Sequence, residues 1–460
     1  MIPSGLTEYL QAHRQEHLAS LKEFLRFPSV ANVTSQPDHC EQCAQWLGQY
    51  LRDLGMTVRI VPTGNKPNIL AKARASDSAP TLLIYGHYDV QPPDPLGQWQ
   101  SDPFEPEVRD GYLYARGADD DKGQFFTHLM AAEAWQRAGG GLPLNLKVFV
   151  EGEEEIGSPD LEAFVGAHAD ELAADAVVIS DSSFFAAGVP SITYALRGLA
   201  CVELSLTGPA ADVHSGIHGG AMTNPINALA KLIAGMHDAA GRVTLPGFYH
   251  DVVELSPQER DQWASLPFDE AQYAASLGVD RLGGGEAALS VMERRWSRPT
   301  LDCNGIVGGY TEKGTKTIIP STAATKISMR LVPHQDPERV ADGLREYLRQ
   351  NVPPGVTWTL DMSAGARPVL LNHHSPTIQA ARDAMAEAFD RKVAMIRSGA
   401  SVPVTELFQR ILALEPALMG FGLPDDRLHS PNERFALEQL WGGSLASAAF
   451  MQNLATSLQG

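Results

Sequence analysis

Residues Leu82 to Val90 read Leu-Leu-Ile-Tyr-Gly-His-Tyr-Asp-Val, an apolar run that ends in a histidine and an aspartate two positions apart, just before the break at Pro92-Pro93. A short apolar run bounded by turn residues predicts a strand buried on both faces, stopping where the polar pair begins. Alternation along the strand places His87 and Asp89 on one side. The carboxyl end of a buried strand is where an open α/β sheet keeps its site.

Four further segments repeat this arrangement. Asp119-Asp120-Asp121-Lys122 follows a short strand from Tyr112 to Ala115, and Glu153-Glu154-Glu155 follows the apolar run Val148-Phe149-Val150. Asp181 ends a strand over 176–180, and His429 lies in the loop from Asp425 to Pro431, before a last helix that the pattern starts at Glu433. Strands alternating with helices, each ending in polar residues, predict an α/β fold with a mostly parallel sheet covered by helices. Near Arg197 the texture changes. Two strand-helix units, over 201–239 and 323–349, predict an inserted α+β sandwich. The expected division is a main domain over 1–197 and 368–460 with an insertion over 198–367. Within the insertion, residues 254–298 look helical and carry no motif. Helices are also expected from Leu6 to Arg26 and from Gln36 to Leu54.

A chain of 460 residues exceeds one ordinary core, which agrees with two domains. Its 44% hydrophobic and 20% charged fractions are those of a soluble globular protein. A net charge of -19 argues against nucleic acid or an anionic membrane as partner. Met1 to Gln15 lacks the basic start and apolar core of a signal peptide, and no uncharged apolar run is long enough to span a bilayer, so a cytoplasmic protein is expected. Four cysteines are too few for a disulfide framework. Cys40 and Cys43 form a CxxC with no second pair, inside a helical pattern through Trp46, Leu47 and Leu51, and read as helix-face residues.

One histidine or carboxylate at a strand end is usually a cap or a surface group. Two runs of three acids differ, because their self-repulsion is costly unless a cation offsets it. Imidazole and carboxylate ligands without a thiolate suit zinc first, with manganese or cobalt as alternatives. Several carboxylates let one bridge two ions about 3.5 Å apart. One acid must then stay off the metals to take the proton of a hydrolytic water.

At these residues the chain resembles the dinuclear-metal peptidases and deacylases that include carnosinase-type dipeptidases, aminoacylase, succinyl-diaminopimelate desuccinylase and glutamate carboxypeptidase. The matching segments are Gly86 to Pro92, Arg116 to Gly123, Glu151 to Ser158, Ser180-Asp181 and His429 to Glu433. The resemblance implies that His87 and Asp181 bind one metal, that Glu155 and His429 bind the other, and that Asp120 bridges two divalent ions. It makes Glu154 the general base and has Asp89 hold the second nitrogen of His87. It gives His214 an oxyanion-stabilising role, often in the partner subunit, and assigns the substrate carboxylate to Arg330 and to a loop at Gly399-Ala400-Ser401. Ala400 stands where that loop has its second glycine. The implied enzyme hydrolyses dipeptides or short peptides; an N-acyl amino acid deacylase and, more remotely, a non-catalytic metal-binding protein are the alternatives. The implied insertion is a lid and dimerisation domain, and the implied assembly a homodimer. His373 and His374 receive no role, and His128 and His218 read as structural.

Overall fold

The computed structural model describes residues 2–33, 38–400 and 402–459. The chain forms two compact units. One comprises residues 1–194, 371–396 and 402–460; the other comprises 195–370 and 397–401.

The first unit is built on a mixed sheet. Seven of its strands lie in the order Thr57–Val61, Asn68–Ala73, Asn145–Glu151, Thr81–His87, Ala176–Ile179, Pro416–Leu418 and Ser191–Leu196, and Val369–Leu370 and Ala394–Ser398 both pair with the last of these. The central ones, Asn145–Glu151, Thr81–His87, Ala176–Ile179 and Pro416–Leu418, run parallel, and the flanking pairs are antiparallel. The Thr81–His87 strand is buried from Leu82 onward, as a strand with helices on both faces must be. Parallel strands finish at one edge, and the register pairs His87 with Glu151. Residues just beyond the strand ends therefore converge.

Two helices lead the chain, Ser4–Ala12 and Arg14–Leu25, separated at His13, where one helix was expected. The apolar spacing continues across the break, so periodicity alone does not reveal it. The next helix runs His39–Asp53, capped by the Asp38 carboxylate on the N–H groups of Cys40 and Glu41; the expected start at Gln36 lies outside the described residues. Cys40 and Cys43 are buried on its inner face, and burial pushes the Cys40 thiol up to about 12, far from the thiolate a metal or redox site needs. The helix Lys122–Ala138 is buried almost all round and packs on the terminal helix Leu437–Gln459. Residues Arg434–Ala436 form a strand before that last helix, where the helix itself was expected. This strand pairs with Tyr112–Tyr114, so a three-stranded sheet completed by Glu107–Arg109 ties the end of the chain to the approach of the triple aspartate.

The second unit is an antiparallel sheet in the order Thr300–Gly308, Thr322–Leu331, Gly198–Thr207 and Thr357–Ala366. One face carries Val202, Leu204, Ile327 and Met329, which pack with Leu229, Leu232, Leu344 and Leu348 of the helices Pro225–Gly235 and Pro337–Asn351 in a single core. Residues 254–298 form three short helices, Pro257–Ala264, Glu270–Ser276 and Val291–Trp296. Among the described residues no helix is long and apolar enough to cross a membrane.

Candidate metal centre

His87 is the last residue of its strand and is fully buried. Its Nδ1 lies 3.0 Å from the main-chain oxygen of Asp89. A carbonyl oxygen only accepts, so Nδ1 carries the proton, and in the neutral ring Nε2 is left with the lone pair a metal needs. That Nε2 faces Asp120 Oδ1 at 3.1 Å, and the other oxygen of Asp120 faces His429 Nε2 at 2.9 Å. His429 Nε2 also lies 3.3 Å from Glu155. Two groups of potential ligands result: His87, Asp120 and Asp181, and Asp120, Glu155 and His429. In each, one ligand atom per residue lies within 4.8 Å of the others. Asp120 belongs to both. Its neighbours are turned elsewhere, with Asp121 accepting from the His87 N–H at 3.3 Å and Asp119 buried near Asp426.

Two carboxylates fix the loops that carry these groups. The Asp89 side chain, 3.4 Å from His87 Nδ1, accepts the N–H groups of Glu154 at 3.2 Å and Glu155 at 3.0 Å. It therefore joins the His87 strand to the turn Glu154–Ile156. Glu433 is fully buried and accepts from the N–H groups of Gly117, Asp119 and Asp120 at 3.0, 3.0 and 3.1 Å and from Arg116 Nη1 at 2.6 Å. Gln91 donates to Glu155 at 2.8 Å, and Asn432 donates to the Gln98 carbonyl and accepts the Gln100 N–H, each at 2.8 Å. Lys122 points the other way, donating to the carbonyls of Phe24 and Phe27.

The electrostatics are those of an acid cluster in need of cations. Burial pushes the Asp181 carboxyl up to about 7, with the Asp120 charge adding to it. Burial also holds Glu154 well above the usual carboxylate range; Asp181, Asp120 and Glu155 reinforce it against His87. At Asp120 burial raises and the bonds from His429 and His87 lower, and the bonds win, leaving it below its ordinary value. His429 is pushed up to about 10 by its bonds to Asp120 and Glu155. At Asp181 and Glu154 burial leads and like charge adds to it, whereas at Asp120 and His429 the bonds to partners of opposite charge decide the direction.

A family model for peptidase family M20/M25/M40 matches residues 83–453. The chain belongs to that family. Beta-Ala-His dipeptidase of Homo sapiens is 30% identical over 467 residues, covering 97% of this chain and 92% of that protein. Cys-Gly metallodipeptidase of Schizosaccharomyces pombe is 30% identical over 471 residues, with 98% of each covered. Among solved structures, an M20 family metallo-carboxypeptidase from Sulfolobus solfataricus matches with a TM-score of 0.83 at 30% identity, covering 96% of this chain and 99% of that one. With its two convergent groups of ligand side chains, this M20-family chain is a metallopeptidase.

Of the remaining predicted residues, His214 and Arg330 lie in its second unit. His214 is exposed and caps the turn Ser215–His218, its Nδ1 accepting the Gly216 N–H at 2.9 Å. That bond leaves the proton on Nε2, which makes the outer nitrogen a donor. Arg330 is half-buried on the Thr322–Leu331 strand opposite Thr300 and Leu199. Ser401 lies outside the described residues. His128 is buried against Ser180 at 2.7 Å, with burial pulling its pKa down to about 3, in keeping with a structural histidine. Glu433 and Arg116 were given no role from the sequence, although both lie inside the motif segments. The signal available was one charged residue of each sign at the edge of a segment that carries a ligand, Arg116 ahead of Asp120 and Glu433 after His429.

Proposed function

We propose that this metallopeptidase hydrolyses dipeptides, removing one amino acid, with two divalent cations held by His87 and Asp181 on one side and Glu155 and His429 on the other, bridged by Asp120. The donor set fits such ions, since two imidazoles face one carboxylate from both sides in a cluster whose acids are otherwise driven toward protonation. Nitrogen and oxygen ligands without sulfur favour zinc, with manganese or cobalt as alternatives. When bound, the cations supply the pull that acidifies a water and polarises a carbonyl.

This chain's own residues then do the following. Glu154, on the turn anchored by Asp89, takes the proton of the attacking water and delivers it to the leaving amine. Asp89 holds His87 and this turn in one arrangement. His214, a donor at Nε2, stabilises the oxyanion, in its own or a partner subunit. Arg330 and the 399–401 loop, Ser401 included, bind the substrate carboxylate. The observation that carries the proposal is Asp120 between two imidazoles with Glu154, its pKa raised, on the adjoining turn.

The relatives are named as dipeptidases, which favours dipeptides over acetyl- or succinyl-amino acids. The presence of every ligand and of Glu154 speaks against a non-catalytic metal-binding protein. A homodimer through the inserted domain is part of the proposal; Ile306 and Val307, 61% and 73% exposed on the edge strand Thr300–Gly308, support it. So is a cytoplasmic location, which four cysteines without a disulfide support. Glu154→Gln is expected to retain metal and to lose turnover by at least about a hundredfold. The assay is hydrolysis of a dipeptide panel against acetyl- and succinyl-amino acids, with zinc or manganese restored to the stripped protein. Near-normal turnover by the variant would overturn the role of Glu154, and faster hydrolysis of the acyl amino acids would overturn the substrate class.

A further inference from the structure

Residues 397–400 belong to the second unit although the chain before them and from Val402 onward belongs to the first. The contacts that draw them there come from two places. Arg397 is 8% exposed, and its guanidinium pairs with the Glu259 carboxylate and lies 5.5 Å from the centre of the Trp263 ring. Glu259 is itself immobilised. Its second oxygen accepts the Ser256 N–H at 3.0 Å and the Ser256 hydroxyl at 2.9 Å, in a capping box that opens the helix Pro257–Ala264. Trp263, 2% exposed, packs edge-on against Trp296 with ring centres 5.1 Å apart. Arg260 pairs with Glu293 at 2.7 Å, and Arg298 bridges Glu254 at 2.9 Å and Glu286 at 2.6 Å. The 254–298 segment thus closes on itself and offers one carboxylate and one indole to Arg397. A second hold lies two residues on. Arg197 Nε donates to the Gly399 carbonyl at 3.3 Å, and a Cβ at Gly399 would lie 3.0 Å from the Arg197 guanidinium.

We propose that residues 254–298 are a positioning device for the 397–400 segment, with Glu259 and Trp263 holding Arg397, Arg197 holding Gly399, and the segment thereby set to receive the substrate carboxylate. This rests on the function proposed above. Arg397, Glu259 and Trp263 act through the loop and are positioning residues. A guanidinium so enclosed is costly when the carboxylate facing it is removed, so loss of Glu259 is expected to loosen the loop.

The test is steady-state kinetics on the full-length, metal-loaded enzyme with a dipeptide. Glu259→Gln is expected to raise KM by about tenfold or more while kcat stays within about twofold, the signature of lost substrate binding rather than lost chemistry. Arg397→Gln should do the same, the double variant should add nothing further, and Arg397→Lys should recover most of the affinity. Arg260→Gln, which breaks the pair with Glu293 but leaves Glu259 on Arg397, should leave KM unchanged. A silent Glu259→Gln, or an equal KM rise in Arg260→Gln, overturns the proposal. Arg330→Ala tests the carboxylate pocket separately: a raised KM there beside a silent Glu259→Gln leaves the function standing and removes the clamp. Were no dipeptide hydrolysed at all, faster hydrogen exchange across 397–400 in Glu259→Gln would still sustain the hold on this segment, and unchanged exchange would refute it.

Discussion

Replacing Glu433 by glutamine changes one oxygen into an NH2 group at a position no solvent reaches. Each Glu433 oxygen takes two donors: Oε2 takes Arg116 Nη1 and the Gly117 N–H, and Oε1 takes the N–H groups of Asp119 and Asp120. No lone pair is left for a proton, so the ionised form is the one this geometry requires. Whichever way the amide of a glutamine is turned, its NH2 confronts two donors and two bonds are lost. Removing one partner of a buried ion pair costs about 3–5 kcal/mol. Orphaned buried donors cost about 1–3 kcal/mol each and account for most of that sum here. The expected result is a thermal midpoint several degrees lower and, because the Asp120 N–H is among the orphans, metal affinity lower by about 10–100-fold. Calorimetry of the stripped protein and zinc titration of the same sample measure both. A second variant separates the causes. Replacing Arg116 and Glu433 together by methionine would relieve an ordinary ion pair, but here it leaves three N–H groups unpaired, so it should be no more stable than Glu433→Gln. Wild-type stability in that double variant would refute the reasoning.

Other outcomes follow from the same geometry. His87→Ala should lose one equivalent of metal, whereas Asp89→Ala should keep both at reduced affinity and turn over slowly, since its carboxylate holds the base-bearing turn; equal metal content in the two, measured by elemental analysis, would remove the distinction. The stripped protein should lose stability as pH rises from 5 to 8. Burial, the first cause in each, pushes Glu151, Asp181 and Asp426 up to about 7, so the native state binds more protons than the unfolded chain across this window. His429, pushed up to about 10, keeps its proton past the unfolded value and acts in the same direction. The slope is up to about 1.4 kcal/mol per pH unit for each extra proton held, and added metal should remove the share carried by Asp181 and His429 while leaving that of Glu151 and Asp426. A stripped protein whose melting temperature climbs over that range would contradict the sign.

What the sequence made legible was whatever depends on burial. The strands ending at His87 and Glu151 are apolar on both faces, and their polar ends could be located without a structure. The strand Thr300–Gly308 was not legible, because it is an edge with most residues exposed and its apolar residues Ile306 and Val307 face out. Glu433 was quoted in a motif yet had no role, since its partners are backbone amides, which every sequence possesses. The role of Asp89 was half legible. Its nearness to His87 follows from alternation along a strand, but its carboxylate serves the Glu154 turn through main-chain bonds that no side-chain pattern encodes.

The small sheet that pairs Arg434–Ala436 with Tyr112–Tyr114 also sets an order of events during synthesis. The ligand group His87, Asp120 and Asp181 is present once the ribosome has passed residue 181, but the second group waits for His429, and the loop holding Asp120 waits for Glu433. Domains form as the chain emerges, N-terminal parts first. A nascent chain that stops short of Glu433 therefore carries no finished centre, and a hydrolase of peptide bonds gains its chemistry only after several hundred of its own bonds have been made.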